Sequence, residues 1–417
     1  MRITAAAGMR RILTTVAHLG WSLLLFFVLA PAFAFPAAKQ EGDDSGRVVF
    51  FQDDCSPADL QQSVDRSIVF LGTIDQDRQF HLCGRTYSAA RLRAGLELFS
   101  RKVVAAADPV QAQRFLLENF IVCRATGTDG AGAMLITGYY EPLLAGSLEK
   151  RPPYLYPLYR PPADLVTRRT ANGEVAVGRM VGGRLLPYWS RAEIEGGRLP
   201  SGHEILYLAD PLDAFILHVQ GSGRVRLPDG TIRPVRYAAN NGRPYRSIGR
   251  ELVERGAMSL DEVTLPRIIE YLRDHPEERE AVLQANARYI FFTLGETATG
   301  DSGAGPVGSM GQPLTAGRSV ALDPKCFPGP MIGFLETELP RFDDQGRLIG
   351  WRRVHRFVVN QDSGAAIRGP GRVDLFLGQG PEAERAAGLM KQPGTLSFFL
   401  LRQEGDRARP TDSEDRR

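Results

Sequence analysis

Arg372-Val373-Asp374-Leu375-Phe376-Leu377 is the stretch on which the fold turns. Side chains alternate along an extended chain, so Val373, Leu375 and Leu377 share one face and Asp374 and Phe376 the other. If the first face packs into a core, Asp374 points at whatever lies opposite. Strand propensity disfavours an aspartate at such a position, so it either faces water or is held there for a purpose. Two more aspartates end strand-like runs: Asp323 follows Ser319-Val320-Ala321-Leu322, and Asp362 follows Arg356 to Gln361 and precedes Ser363-Gly364. Aspartates at such places are commonly turn formers, and spacing alone cannot bring three of them together. That task falls to the fold.

Upstream, Leu135-Ile136-Thr137-Gly138-Tyr139-Tyr140-Glu141-Pro142 predicts a strand ending at proline. Leu92, Leu96, Phe99 and Val103 have helical spacing, and Asp108-Pro109 marks an N-cap followed by proline in the first turn of a second helix. Residues 35 to 85 look polar and irregular, with Ile68 to Leu71 as extended structure. Between residues 145 and 240, short alternating runs are broken by Pro152-Pro153, Gly182-Gly183, Gly196-Gly197 and Pro228-Asp229-Gly230, a texture that predicts a small all-β unit. Ser259 and Glu262 form a capping-box pair opening a helical stretch that Pro266 and Pro276 divide. Strands are expected at Tyr289 to Phe292, Ser319 to Leu322, Arg356 to Val359 and Arg372 to Leu377, with a late helix opened by Pro381 and a disordered tail over 404–417.

The 417 residues, 43% hydrophobic and 24% charged, suit two ordinary folded domains, and a net charge of +3 is too small to argue for nucleic acid. Arg2, Arg10 and Arg11 precede an apolar stretch from Trp21 to Ala30, and Ala32-Phe33-Ala34 supplies small residues before a cut, so residues 1–34 are expected to be a secretory signal peptide. An uncleaved anchor is the alternative. No cysteine follows closely enough for lipid attachment. Cys55, Cys83, Cys123 and Cys326 allow two disulfides in three pairings, or buried free thiols. The six histidines are scattered and no CxxC occurs, so neither metal nor cofactor is expected.

Two motifs are decoys. Gly303-Ala304-Gly305-Pro306-Val307-Gly308 matches GxGxxG but contains a proline and follows no strand of a βαβ unit, which leaves a flexible glycine-rich loop. Gly300-Asp301-Ser302-Gly303 resembles the surroundings of a serine-protease nucleophile, but Ala304 replaces the next glycine and His81 sits between bulky Phe80 and Leu82.

Ala321-Leu322-Asp323-Pro324, Asn360-Gln361-Asp362-Ser363-Gly364-Ala365-Ala366-Ile367 and Val373-Asp374-Leu375-Phe376 resemble the three motifs of the C-terminal three-aspartate domain. Thr137-Gly138-Tyr139-Tyr140-Glu141-Pro142, Val219-Gln220-Gly221-Ser222-Gly223 and Asn241-Gly242-Arg243-Pro244-Tyr245-Arg246-Ser247-Ile248-Gly249 resemble signatures of the membrane-bound lytic transglycosylase A family. Together they span roughly residues 115 to 400 in the family's order. Where the family has two glycines after the second aspartate, this chain has Ser363-Gly364-Ala365, and the lipid-attachment cysteine of many members is missing.

The resemblance implies a mainly β fold with some α: a double-psi β-barrel domain (35–144 plus 285–403) interrupted by an inserted β-barrel-like domain (145–284), with a substrate groove between them. It implies an exported, periplasmic enzyme acting on peptidoglycan glycan strands, expected to be a monomer, with association with the outer membrane or cell-wall machinery left open. The reaction is cleavage of the β-1,4 bond from N-acetylmuramic acid to N-acetylglucosamine without water, leaving 1,6-anhydro ends. Asp374 is the implied acid and base, with Asp362 and Asp323 tuning it. Tyr139, Tyr140 and Tyr245 are expected to stack on sugars, and Thr137, Gln220, Ser222 and Ser247 to hydrogen-bond them. The rival readings are a non-catalytic peptidoglycan-binding barrel and a muramidase. The latter gains weight if Glu141 or Asp213 faces Asp374 about 5 to 10 Å away.

Overall fold

The computed structural model describes residues 51–169, 175–199, 201–296 and 305–403. The signal-peptide segment, the tail beyond 403 and the Gly300–Gly303 motif lie outside them.

Helix α1 (Pro57–Thr73) comes first. It overturns the expectation of extended structure at Ile68 to Leu71. A four-residue apolar run does not separate strand from helix, whereas buried Leu60, Val64, Ser67 and Leu71 form a stripe at helical spacing. A hairpin of β1 (Gln79–Leu82) and β2 (Arg85–Ser88) leads to α2 (Ala89–Phe99), whose N-cap Ser88 accepts from the Arg91 N–H. A π-helical turn follows, and then α3 (Pro109–Asn119), capped by Asp108 as its sequence implies. Cys83 in the hairpin turn is bonded to Cys123 in β3 (Phe120–Arg124). Cys55 and Cys326 are free, the latter exposed, so one disulfide forms rather than two and the remaining thiols are not both buried.

The next segment comprises β4 (Met134–Glu141), β5 (Leu143–Ser147), β6 (Tyr156–Tyr159), β7 (Leu165–Arg169), β8 (Val175–Val181), β9 (Arg184–Pro187), the short helix α4 (Arg191–Glu193) and β10 (Glu204–Leu208). It continues through α5 (Pro211–Gln220), β11 (Gly223–Arg226), β12 (Ile232–Asn240), α6 (Ile248–Glu254), α7 (Leu265–Asp274) and α8 (Pro276–Gln284). The region 145–240 is therefore not all β: Asp210 caps α5 and Pro211 occupies its first turn. Ser259 and Glu262 do bond to each other but close a turn, and the helix starts later, capped by Thr264.

The last segment holds β13 (Ile290–Leu294), β14 (Ser319–Ala321), β15 (Ile332–Phe342), β16 (Leu348–Asp362), β17 (Arg372–Gln379), α9 (Gly380–Leu389) and β18 (Lys391–Leu401). Strands run in the order β15-β16-β14-β17-β4-β18, and β18 also pairs with β15, which closes a six-stranded ring; β3 adds to the outer part of β18. Pairing is mixed, with β4 parallel to β17 and β14 parallel to β16. A second sheet runs β13-β12-β11-β5-β10-β6, and β7-β8-β9 form a third. Strand β13 thus pairs with β12, not with the ring.

Each part has its own core. Val320, Leu335, Val358, Val359, Val373, Leu375 and Leu396 of the ring pack with α1 and α2. Leu158, Leu206, Leu208, Val225, Val235 and Phe292 fill the second sheet. On β17 Val373 and Leu375 are buried as their alternation predicts, but Phe376 on the other face is also only 1% exposed. The Tyr139 ring and the loop at Gly305 cover it. No helix among the described residues is long and apolar enough to cross a membrane.

Candidate active site

The ring does what spacing cannot. Ala321 of β14 pairs with Asp362 of β16 on one side and Asp374 of β17 on the other, so the two aspartates sit two strands apart, about 10 Å between backbones. Thr137 of β4 is the partner of Asp374 across the parallel ladder. Its hydroxyl donates to Asp374 Oδ1 at 2.7 Å. Two residues on and facing the same way, Tyr139 donates its hydroxyl to Asp362 Oδ2 at 2.9 Å while its ring packs against Phe376, centroids 5.3 Å apart. The other Asp362 oxygen accepts the Ser309 N–H at 2.8 Å. The glycine-rich loop thus serves as a packed cover: a Cβ on Gly305 would lie 2.4 Å from the Leu314 carbonyl and 3.0 Å from the Phe376 ring.

Burial pushes the Asp374 carboxyl up to about 6; the Thr137 hydrogen bond and the Arg372 charge pull the other way, and the Asp362 charge adds a further push upward. Protein surrounds the carboxyl, yet the residue keeps some accessible surface, as a proton donor needs. Asp362 is also raised by burial, opposed chiefly by the Ser309 N–H. Burial and both carboxylates hold the Tyr139 phenol well above its usual range, so it stays a neutral donor.

Asp323 stands apart from this pair. It is buried, accepts the Lys325 N–H at 3.0 Å and the Gly369 N–H at 2.8 Å, and lies 3.9 Å from Arg368. It ties the 363–371 loop to the turn after β14, and its charge is not among those acting on Asp374. These contacts make Asp323 a link between two loops of the ring.

The expected sugar-contacting residues divide. Tyr140 is 4% exposed, with its N–H on Gln220 Oε1 at 3.3 Å and its hydroxyl on Glu384 of α9 at 3.2 Å, so it has no face free for stacking. Tyr139 and Thr137 are committed to the aspartates. Gln220 ends α5, and Gly221, at φ 81°, turns the chain there, leaving Ser222 partly exposed in the loop. Ser247 caps α6 by accepting from the Arg250 N–H. Tyr245 is mostly buried; burial raises its phenol, while Ser247 and the Arg372 charge lower it. That charge effect places the Asn241–Ser247 loop beside β17. Two fully buried side chains hold this loop: Asn241 bridges the Trp189 and Ala287 carbonyls, and Asn286 accepts from the Arg246 N–H.

One participant, Arg372, was not expected at the site. Arg372 shares the face of Asp374, which the strand period alone would reveal. Glu141, 5% exposed, accepts from Gln379 and lies 3.5 Å from Arg224 of β11; burial raises it to about 7 against those partners. It stands four residues beyond Thr137, about 13 Å along the strand. Asp213, raised to about 6 by burial and then Asp210, faces Arg273 and Glu384 instead. No cluster of three or more His, Cys, Asp or Glu able to hold a metal occurs among the described residues.

Family models match two stretches of the chain: the MltA specific insert domain over 135–293 and the 3D domain over 318–400. Membrane-bound lytic murein transglycosylase A of Escherichia coli (strain K12) is 32% identical over 273 residues, 65% of this chain and 66%, just under two thirds, of that protein. The Vibrio cholerae protein of the same name is 30% identical over 305 residues, 72% of this chain and 73% of its own length. Among solved structures, a membrane-bound lytic murein transglycosylase from Agrobacterium tumefaciens superposes with a TM-score of 0.69 at 30% identity, covering 86% of this chain and 96% of that one. E. coli MltA with bound chitohexaose gives 0.63 at 25% identity, covering 85% and 96%.

Proposed function

This chain belongs to the membrane-bound lytic murein transglycosylase A family, and from that premise we propose that it is an exported, periplasmic enzyme cutting peptidoglycan glycan strands at the N-acetylmuramic acid to N-acetylglucosamine bond without water. The observation that carries the reading is Asp374: a carboxyl raised to about 6 by burial, oriented by a single hydroxyl donor.

In the protonated state Asp374 gives its proton to the departing glycosidic oxygen. As a carboxylate it then takes the proton of the muramic C6 hydroxyl while that oxygen closes on C1, producing a 1,6-anhydro end. Thr137 keeps the carboxyl aimed through both steps. Asp362, engaged by Ser309 and Tyr139, supplies negative charge that helps Asp374 retain its proton. The internal hydroxyl replaces the second carboxylate that a hydrolase requires. Of the carboxylates named for a muramidase, Glu141 stands about 13 Å along the strand and Asp213 meets the charges of Asp210, Arg273 and Glu384, while Asp362, two strands away, is already engaged by Tyr139 and Ser309.

The glycan is read as lying in a groove between the ring and the insert, with β13 on the insert's side although the sequence put the boundary at about 285. A double-psi topology is favoured by the parallel pairs β4–β17 and β14–β16 in a closed ring. The chitohexaose held by the E. coli relative supports glycan binding here too.

Digestion of purified peptidoglycan followed by mass spectrometry tests the proposal. Products lighter by one water than hydrolysis products, and absent with Asp374→Asn, are expected; hydrolysed ends, or unchanged anhydro products from the variant, would refute it.

A further inference from the structure

An arginine that the proposed proton transfers do not use stands beside Asp374. Arg372, on the same face of β17, reaches the Thr137 hydroxyl at 3.4 Å, and its Nε is buried without a hydrogen-bond partner. Its charge acts on Tyr245, so the Asn241–Ser247 loop adjoins it. Arg288 donates to the Arg243 carbonyl of that loop at 3.1 Å, and its Nε is likewise buried and unpartnered. Burial pulls the Arg288 guanidinium below its usual range, and the nearby Arg368 charge adds to this. Arg368 is half exposed on the loop that follows Asp362; its nearest carboxylate, Asp323 at 3.9 Å, already receives two backbone N–H groups.

No carboxylate among the described residues forms an ion pair with Arg288 or Arg372. When Asp374 carries its proton, Arg372 also loses the opposing charge of that carboxylate. Guanidiniums kept this way, partly out of water and repelling one another, are costly unless an anion arrives.

We infer that Arg288, Arg368 and Arg372 form a subsite for a carboxylate carried by the glycan itself. The inference rests on the peptidoglycan reading and deepens it. Of the two alternating sugars only muramic acid bears a lactyl arm, which ends in a carboxylate on peptide-free strands and otherwise continues into a peptide with carboxylates of its own. Guanidinium forks match such groups in a bidentate manner. Engaging the arm fixes the two-sugar register, so that a muramyl residue and not a glucosaminyl one presents its C1 to Asp374.

The test is calorimetric binding to the full chain carrying Asp374→Asn, which separates binding from cutting. Three ligands are compared: peptide-bearing murein oligosaccharides, the same strands stripped of peptide by an amidase, and chitohexaose, which has no carboxylate. Adding Arg288→Gln should weaken the carboxylate-bearing ligands about tenfold, the worth of a charged hydrogen bond, and leave chitohexaose unchanged. Loss confined to stripped strands assigns the lactyl carboxylate, and loss confined to peptide-bearing strands assigns the stem. Equal weakening of all three ligands, or of none, overturns the inference. Should Arg288→Gln fail to fold, Arg368→Gln, on an exposed side chain, decides by the same outcomes. Carboxylate-selective binding by an enzyme whose unmutated form releases no anhydro product would sink the catalytic reading and spare the subsite.

Discussion

Replacing Asp374 by Asn should stabilise the fold at neutral pH while removing the activity. The carboxyl titrates at about 6 in the folded chain against 3.8 for a free one, so the folded state binds its proton more tightly than the unfolded state does. Below pH 4 both states are protonated and the residue carries no penalty. Between roughly pH 4 and 6 the unfolded chain ionises first, and stability falls as pH rises. Above 6 the full penalty stands: about two units at 1.36 kcal/mol each, or at most about 3 kcal/mol, reduced by whatever solvent reaches the group. Asn accepts the same Thr137 hydrogen bond without that penalty. For about 340 described residues at about 2.1 cal/mol/K each, 3 kcal/mol amounts to roughly 4 °C in Tm. Glu141 and Asp213 titrate in both proteins, so the difference between variant and parent isolates Asp374. Denaturant unfolding of both at pH 4 and pH 8 provides the measurement. A variant-to-parent difference that is the same at both pH values, or a variant less stable than the parent at pH 8, would refute the claim that the site is held at the expense of the fold.

Thr137→Val removes the donor that favours the ionised form of Asp374, so the basic limb of the pH-rate profile should move up by about one unit, with lower kcat from a loosened carboxyl. Asp362→Asn should move the same limb down, and by less, because its charge is the weakest influence on Asp374; an unmoved limb would remove Asp362 from the tuning role. Cys83→Ser opens a link across 40 residues of sequence and should lower stability by up to about 4 kcal/mol while leaving product identity unchanged, as read by thermal unfolding and mass spectrometry.

Local chemistry was legible in the sequence and long-range assembly was not. Asp108-Pro109 opens α3 because a capped N-terminus needs only its neighbours. The same signature, Asp210-Pro211, opens α5, but the surrounding turns suggest β structure and obscure it. The face of β17 bearing Val373 and Leu375 follows from alternation, whereas burial of Phe376 depends on Tyr139 and Gly305, brought in from elsewhere in the chain. Residue type suggested sugar contacts for Thr137, Tyr139 and Tyr140. Their hydroxyls turn instead to Asp374, Asp362 and Glu384, partners that only the parallel ladder and α9 bring near.

Thr137 and Asp374 lie 237 positions apart, and the ring that joins them closes only when β18 pairs with β4 and β15. A chain whose C-terminal strands have yet to pair therefore has the residues of the site but not the site itself. Late pairing acts as a built-in delay, and the proposed chemistry becomes available only to a polypeptide that has folded whole.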